Sequence, residues 1–278
     1  SDITVSGGTF GVFVNDNTKQ WSCKSLTHSG ASTLNFHFGV VPSASLPPLL
    51  VNNNVAFTVT PSVSVTASVT LPAGAYPLMR WTTKSGTVPT AVTLPSPLTG
   101  RLIEDVPNGI VWLVVIANKQ PLTWKGHVNG VWDIGDTANW NDSTGSPVAY
   151  NEVAVAGVTV GDSVVFDDSA NALSPVITLD SAVIPASVTV NITKNYVITG
   201  SGGIGGTNSF YKSGTGSFTL GTTNSYTGAT TVPRGTLIAK ADSPKGAPGA
   251  FGNATNAIVF GGVDSTPALY IGGPYTIS

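Results

Sequence analysis

Charged side chains are scarce in this sequence. Lysine, arginine, aspartate and glutamate together make up 9% of the 278 residues, against roughly 25% in an average soluble protein. The net charge is −2, and the sequence has no cluster of lysine and arginine of the kind that neutralises phosphate groups. The sequence therefore predicts no nucleic-acid partner and no binding to an anionic membrane surface.

Cysteine and long apolar runs are also lacking. The one cysteine, Cys23, excludes an internal disulfide framework and a multi-thiolate metal site, and we expect a buried free thiol. No run of about 18 apolar residues is present; the longest, 110–117, has the length of a strand, so no membrane span is predicted in this segment. No signal peptide is visible and Ser1 is not a methionine, so we expect a piece processed or cut from a longer chain.

The residues that are abundant favour strands and turns. The sequence holds 32 glycines and 19 prolines, and Thr, Ser, Val, Ala and Asn dominate the remainder. Apolar residues recur at every second position, the period of a half-buried strand, as in Val55, Phe57 and Val59, or Val188 and Val190. Turn-forming residues separate these segments. The pattern predicts an all-β fold of short strands.

Internal repeats indicate which all-β architecture is present. Residues 4–10 (TVSGGTF) and 231–237 (TVPRGTL) share a Thr-Val-x-x-Gly-Thr pattern followed by a large apolar residue, and 213–221 (SGTGSFTLG) loosely echoes 29–39 (SGASTLNFHFG). Repeated strand-turn units bury an inward face only by stacking on one another. We therefore predict a right-handed parallel β-solenoid (β-helix) with coils of roughly 20 to 30 residues.

The middle of the chain departs from this pattern. Residues 72–149 contain the charged cluster Arg101, Glu104 and Asp105, and three tryptophans spaced eight residues apart, Trp124, Trp132 and Trp140. The spacing predicts a Trp-rich β-hairpin. The expected organisation is the end of one solenoid unit at 1–71, a junction at 72–149, and a second, truncated unit at 150–278.

Two segments resemble a known family. LTWKGHVNGVWDIGDTANW (122–140) is similar to the module opening of the autotransporter-associated β-strand repeat proteins, also called passenger-associated transport repeats. GTNSFYKSGTGSFTLGTTNSYTGATTVPRGTLIAK (206–240) resembles their signature repeat, with Lys-Ser-Gly-Thr-Gly at 212–216, Asn-x-Tyr-x-Gly at 224–228 and Gly-Thr-Leu at 235–237. The resemblance is close over 122–278 and looser over 1–121.

This resemblance implies a secreted bacterial surface protein with a parallel β-helical passenger, located outside the cell or associated with the outer membrane. We expect a stiff stalk, fibre or surface-layer component without enzymatic activity, catalytic residues, metal or cofactor. Its expected partners are other copies of itself or neighbouring repeats of a longer chain, and surface glycans. The alternative is an adhesin or carbohydrate-binding module, and a glycan-cleaving β-helix enzyme is less favoured. The final PYTIS resembles the middle of a coil, so continuation is expected.

The acidic stretch 161–171 (GDSVVFDDSAN) carries the best candidates for chemistry. A glycosidase needs two carboxylates about 5 to 10 Å apart, and Asp162 with Asp167 or Asp168 is the available combination. The same oxygens could bind Ca²⁺, although the stretch lacks the spacing of the known calcium loops. We favour the simpler interpretation that these residues cap turns.

The remaining polar motifs have structural interpretations. His28, His37 and His127 lack metal-ligand spacing, so we expect surface histidines, with His37 facing outward in LNFHF. GSGGIGG (200–206) is not followed by a helical pattern, which favours a tight corner over a phosphate-binding loop.

Aromatic residues are the candidate contact sites. Trp124, Trp132, Trp140 and Tyr226 could form glycan or self-association contacts if they are exposed in a row. For the tryptophans we favour a hydrophobic plug that covers the end of a solenoid segment.

Overall fold

The chain folds into strands, turns and loops. The computed structural model describes residues 1–96, 98–116, 121–255, 257–261 and 266–277, and these ranges contain no helix. Accordingly, none of these described ranges offers a helix long and apolar enough to cross a membrane. Two compact units are present: Ser1–Lys119 with Val153–Val158, and Gln120–Glu152 with Thr159–Ser278. The predicted all-β class is confirmed.

The first unit is built from two sheets. Its strands are β1 (Asp2–Val5), β2 (Gly8–Val14), β3 (Trp21–Cys23), β4 (Ser25–His28), β5 (Ser32–Phe38), β6 (Leu49–Phe57), β7 (Ser62–Ala67), β8 (Gly74–Gly86), β9 (Thr99–Asp105) and β10 (Ile110–Ile116). The larger sheet has the order β1-β4-β6-β8-β10-β9, with β3 also paired to β6, and the smaller one has the order β2-β5-β7.

Most strand pairs of the first unit are parallel. β1, β4, β6 and β8 pair in parallel in the larger sheet, as do β2, β5 and β7 in the smaller one. Partner residues such as Asn35 and Ser64 are 29 positions apart. The antiparallel strands β10 and β9 end the larger sheet beyond β8. The apolar run predicted as a strand at 110–117 is β10, and Ala117 lies outside the described residues.

Alternation produces the core of the first unit. Leu34, Phe36 and Phe38 on β5 are buried, and the residues between them point outward, as a period of two requires. Val55 and Phe57 on β6 are buried in the same way. Val59 does not extend the series: β6 ends at Phe57, and Val59 is 40% exposed.

The second unit has shorter strands. Its strands are β11 (Leu122–Trp124), β12 (Trp140–Asn141), β13 (Pro147–Val148), β15 (Val158–Gly161), β16 (Val164–Phe166), β17 (Val176–Thr178), β18 (Ala182–Val183), β19 (Val188–Asn191), β20 (Tyr196–Thr199), β21 (Gly203–Ile204), β22 (Phe210–Ser213), β23 (Ser217–Leu220), β24 (Thr230–Val232), β25 (Thr236–Ala239), β26 (Val259–Phe260) and β27 (Ala268–Ile271). The intervening strand β14 (Glu152–Val155) belongs, except for its first residue, to the first unit.

Successive strands of the second unit join three sheets in turn. The first sheet has the order β13-β12-β11-β16-β19-β22-β24-β26, the second β17-β20-β23-β25-β27, and the third β18-β21. From β16 onward the pairs within these sheets are parallel. Each passage of the chain thus adds one strand to each of the two longer sheets, an arrangement compatible with a β-solenoid.

The repeat read from the sequence has a structural counterpart. The shared glycine of TVSGGTF and TVPRGTL is Gly8 in one copy and Gly235 in the other, with φ of 70° and 77°. Both lie where one strand ends and the next begins, β1 to β2 and β24 to β25. A positive φ is accessible to glycine without steric cost, which explains why this position of the repeat is glycine.

The predicted junction at 72–149 is divided between the two units. Its first part forms β8, β9 and β10 of the first unit, and its tryptophan-rich part belongs to the second. The segment is therefore not one element. Alternation and aromatic content mark both parts, but they carry no information about which sheet each part joins.

Candidate functional site

The tryptophans at 124, 132 and 140 form one aromatic cluster inside the second unit. Trp124 and Trp140 are register partners on the antiparallel strands β11 and β12, with ring centroids 4.9 Å apart. Trp132 lies edge-on to Trp140 at 5.1 Å and to Tyr150 at 5.4 Å. Phe166 on β16 approaches Trp140 to 5.5 Å and connects the cluster to the rest of the core. Edge-to-face geometry of this kind is favourable for aromatic pairs.

All four candidate contact residues are buried. Trp124, Trp132, Trp140 and Tyr226 expose 2% or less of their surface. The Tyr226 hydroxyl interacts with Thr230 Oγ1 at 2.8 Å. The exposed row that glycan or self-association contact would require is not formed by these side chains, because all four are directed into the core, Trp124 and Trp140 from strands and Trp132 and Tyr226 from loops.

The segment that carries the tryptophans lies alongside β16 and β17, and β15 lies alongside β18. β11 pairs with β16 in the first sheet. Next to β17, the Trp132 amide donates to Thr178 O at 3.0 Å, and next to β18 the Gly161 amide donates to Ile184 O at 2.9 Å. Uncovered strand edges are templates for unwanted pairing. This coverage is the arrangement expected of the favoured plug.

Asn139 holds the loop that positions Trp132. It is fully buried, and its Oδ1 accepts hydrogen bonds from the amides of Val128 and Asn129 at 2.9 and 3.1 Å. Its Nδ2 donates to Val131 O at 2.8 Å. No role was assigned to this residue from the sequence, although it directly precedes Trp140 in the segment 122–140 that carries the family resemblance.

Lys212 is the most unusual polar residue of the second unit. It is fully buried and occupies the inward column in which Phe166 pairs with Val190 and Val190 with Lys212. Its Nζ donates to Ser213 O at 2.8 Å, to Gly214 O at 2.9 Å and to Arg234 O at 3.3 Å. The ammonium thus joins two successive corners, the one after β22 and the one after β24.

Glycine provides the space for this ammonium. A Cβ atom on Gly235 would lie 2.6 Å from Lys212 Nζ, so a larger residue would displace the charged group. Burial lowers the pKa of Lys212 to about 8. The lysine and the glycines of the Lys-Ser-Gly-Thr-Gly and Gly-Thr-Leu motifs therefore form one packing unit. The sequence did contain a signal for this burial. Lys212 follows the apolar Phe210 by two positions, so the period of two places it on the same inward face of the strand.

Asp167 and Asp168 cap turns, as the simpler interpretation predicted. Asp167 accepts a hydrogen bond from the Ser169 amide at 2.8 Å. Asp168 accepts from the amides of Thr193 and Lys194 at 2.8 and 3.0 Å, in the following corner. The Lys194 amide is the main cause that holds the pKa of Asp168 below its ordinary value. Asp167 thus closes its own turn, and Asp168 connects that turn to the following corner.

Asp162 belongs to a different environment. Its side chain is buried, and its Oδ2 accepts a hydrogen bond from the Asn151 amide at 3.0 Å. Asp162 precedes β16, whereas Asp167 and Asp168 follow it. Asp162 accepts from the Asn151 amide and Asp168 from amides of the next corner, so these carboxylates have separate structural partners. No cluster of three or more His, Cys, Asp or Glu side chains that could hold a metal occurs among the described residues.

The histidines divide between core and surface. His37 faces outward on β5, as predicted, and His127 is also exposed. The prediction of a surface position is wrong for His28, which is fully buried and stacks on Phe57 at 5.9 Å. His28 shares the inward face of β4 with Leu26, two residues before it. Burial lowers its pKa, and its Nδ1 interacts with Ser32 Oγ at 2.9 Å.

Two further sequence predictions concern burial. Cys23 is a free, buried thiol, as expected, and burial raises its pKa. The glycine-rich segment 200–206 forms a tight corner: a Cβ atom on Gly202 would lie 2.1 Å from Ser181 O, and one on Gly203 2.1 Å from Thr223 O. Only glycine fits between these backbones.

The charged cluster of the first unit lies beside a surface groove of about 570 Å³. Glu104 forms an ion pair with Lys84 at 2.8 Å. Asp105 accepts a hydrogen bond from Asn108 Nδ2 at 2.9 Å and shapes the turn before β10. Two of the three predicted cluster residues therefore have structural partners.

No family model, curated protein or solved structure matches this chain. The family resemblance accordingly remains a resemblance of motifs. What the geometry itself provides is a stacked parallel core, an aromatic plug and buried polar groups that bridge neighbouring corners.

Proposed function

We propose that this chain is a structural repeat protein of the cell surface, part of an autotransporter-like passenger in which the parallel sheets are faces of a right-handed β-solenoid. Its role is mechanical: it acts as a stiff stalk, fibre or surface-layer component that resists bending and extension. The observation that carries the proposal is the addition of one parallel strand per passage of the chain, as between β19 and β22, whose register partners Val188 and Phe210 are 22 residues apart.

Burial along the stacked strands supports this role. Column residues such as Val188 and Phe210 are buried and lie directly over one another. Each coil therefore buries apolar surface against the coils stacked on it, so resistance to bending and extension accumulates along the stack. The scarcity of charge favours contact with other copies, with neighbouring repeats or with surface glycans, and the proposed location is outside the cell or at the outer membrane.

Force spectroscopy on the whole chain tests the mechanical role. In a solenoid, pulling releases coils one after another, and a coil of 22 residues, such as the one between Val188 and Phe210, frees about 75 Å of extended chain. Register partners in the second unit lie from 19 residues apart (Ser217 and Thr236) to 32 residues apart (Thr236 and Ala268), so we expect successive steps of roughly 65 to 110 Å. A single event that releases the whole second unit would contradict the proposal.

A disulfide variant sharpens this experiment. Thr189 and Tyr211 are register partners with outward side chains on adjacent strands, a separation that a disulfide can span. Oxidised Thr189→Cys/Tyr211→Cys should lose one step, and reduction should restore it, so the same molecule is its own control. Labelling of intact and permeabilised source cells with antibodies against the chain tests the location; a signal that requires permeabilisation would contradict it.

A further inference from the structure

The outward face of β2, β5 and β7 is exposed and orderly. Register pairing places its side chains in three rows across the strands: Thr9, Thr33 and Ser62; Gly11, Asn35 and Ser64; and Phe13, His37 and Thr66. Ser64 also bridges to Thr93, which extends the middle row by one segment. Every one of these positions is exposed or half-exposed.

Phe13 is the most prominent feature of this face. Its side chain is 72% exposed, although it lies on a strand whose neighbouring residues Val12 and Val14 are buried. A Cβ atom on Gly11 would lie 3.2 Å from Phe13 Cε2, so the ring lies over the space that this glycine leaves free. His37 flanks it with a centroid separation of 5.5 Å. The ring is thus held beside the row of polar side chains.

Polar groups on the face are already oriented. Asn35 Nδ2 donates to Ser64 Oγ at 2.7 Å, and His37 Nδ1 interacts with Thr66 Oγ1 at 2.9 Å. The Nε2 atom of His37 also interacts with Ser68 Oγ at 3.2 Å, so both ring nitrogens are engaged. The Asn35 amide and the hydroxyl groups keep further donor and acceptor capacity. Their positions are fixed by neighbours across the sheet, which lowers the entropy cost of binding a ligand.

A groove continues the face at its far side. It has a volume of about 380 Å³ and lies between β7 and residues 89–93. Its lining includes the hydroxyl residues Thr60, Ser62, Thr90 and Thr93 and no acidic or basic side chain. The volume is within the range of small-ligand sites, and about 14 Å separates β2 from Thr93 across three strand spacings.

We propose that this face binds an uncharged glycan chain. Phe13 would stack on one sugar ring, the amide and hydroxyl rows would hydrogen-bond to the following rings, and the groove would hold the end of the bound stretch. The absence of carboxylate and ammonium groups from these three rows and the groove matches a ligand without charge, whereas a charged polymer would find no partner there. This inference does not depend on the mechanical role of the second unit.

Isothermal titration of the whole chain with cellohexaose, chitohexaose and mannohexaose tests the proposal. At least one of these uncharged oligosaccharides should bind, and Phe13→Ala should weaken that binding by about tenfold. Phe13→Trp should retain it, since a larger ring still stacks. Because Phe13 is exposed, these substitutions leave the core unchanged.

Matched controls separate this site from non-specific contact. Tyr270→Ala removes another exposed aromatic ring, 60% accessible and in the second unit, and should leave binding unchanged. Hexagalacturonate, a charged oligosaccharide, should not bind. The proposal is overturned if no uncharged oligosaccharide binds, if Phe13→Ala binds like the original chain, if Tyr270→Ala loses binding to the same extent, or if only hexagalacturonate binds.

Discussion

Replacement of Lys212 should change how the stability of the second unit depends on pH. Burial lowers the pKa of this lysine from 10.5 to about 8. Between these two values the folded chain has released the proton while the unfolded chain still holds it, so the unfolded state binds more protons. The free energy of unfolding contributed by this group therefore rises with pH across that window. Lys212→Met should remove the rise.

The magnitude follows from the size of the shift. One pKa unit corresponds to about 1.4 kcal/mol, so the Lys212 contribution should grow by about 3 kcal/mol from neutral pH to pH 10.5. The flanking strands β19 and β24 carry no titratable side chain. The adjoining corners contain Lys194, which donates to Ala170 O, and the exposed Arg234. Lys212→Met also removes the hydrogen bonds to the three carbonyl groups, which lowers the free energy of unfolding by a similar amount at every pH. The difference in pH slope between the original chain and the variant therefore remains.

Urea unfolding at a series of pH values measures the effect. The buried tryptophans Trp124, Trp132 and Trp140 provide a fluorescence signal from the second unit. The relevant quantity is the difference in unfolding free energy between the original chain and Lys212→Met, because the titration of other groups, including the buried tyrosines, cancels in it. Lys240→Met removes an exposed lysine of the same unit and serves as the control, with no change of slope expected.

Two results would refute this reasoning. If the curves of the original chain and Lys212→Met ran parallel from pH 7 to 10.5, the ammonium would be as well solvated in the fold as in water. If the difference fell as pH rose, the three carbonyl acceptors would outweigh desolvation and the folded pKa would lie above the ordinary value.

Two further predictions concern packing. Trp132→Ala opens a cavity in the aromatic plug and should lower the free energy of unfolding by about 3 to 5 kcal/mol. Trp21→Ala, at a position that is 46% exposed, should lose much less in the same thermal unfolding experiment. Similar losses for the two variants would argue against a plug. Gly216→Ala places a Cβ atom 2.0 Å from Lys194 O and should destabilise the second unit by about 1 to 3 kcal/mol. Gly7→Ala, where the nearest atom is 3.8 Å away, should be nearly neutral, and equal effects of the two would show that the corners do not stack closely.

The sequence carried most of the information about strands and little about their partners. The period of two identified the inward residues of β5 and β6, and the shared glycine of the repeat, Gly8 and Gly235, marked equivalent turns. Both signals are local: alternation reports which face of a strand is buried, and a positive φ must be satisfied by the residue itself. Such local requirements leave their mark on the residue type.

Features that depend on distant partners escaped sequence reasoning. The eight-residue spacing of the tryptophans suggested equivalent positions, but Trp132 lies in a loop held by Asn139, whereas Trp124 and Trp140 face each other across two strands. Lys212 was part of a recognised motif, yet its burial depends on carbonyl groups of two corners, one of them 22 residues away. Spacing alone does not specify the path of a loop or the acceptors that a buried cation finds.

Strand length explains why the two units offer different surfaces. β5 has 7 residues and therefore turns several side chains outward in a row, whereas β16 has 3 and β19 has 4. A ligand that spans several side chains needs the wider face, because each outward row contributes one contact per strand. The second unit instead has short strands joined by corners in which glycines such as Gly216 bring successive backbones into close contact. We therefore expect recognition to reside in the first unit and resistance to force in the second, and the Phe13 and Thr189/Tyr211 variants should alter these two properties independently of each other.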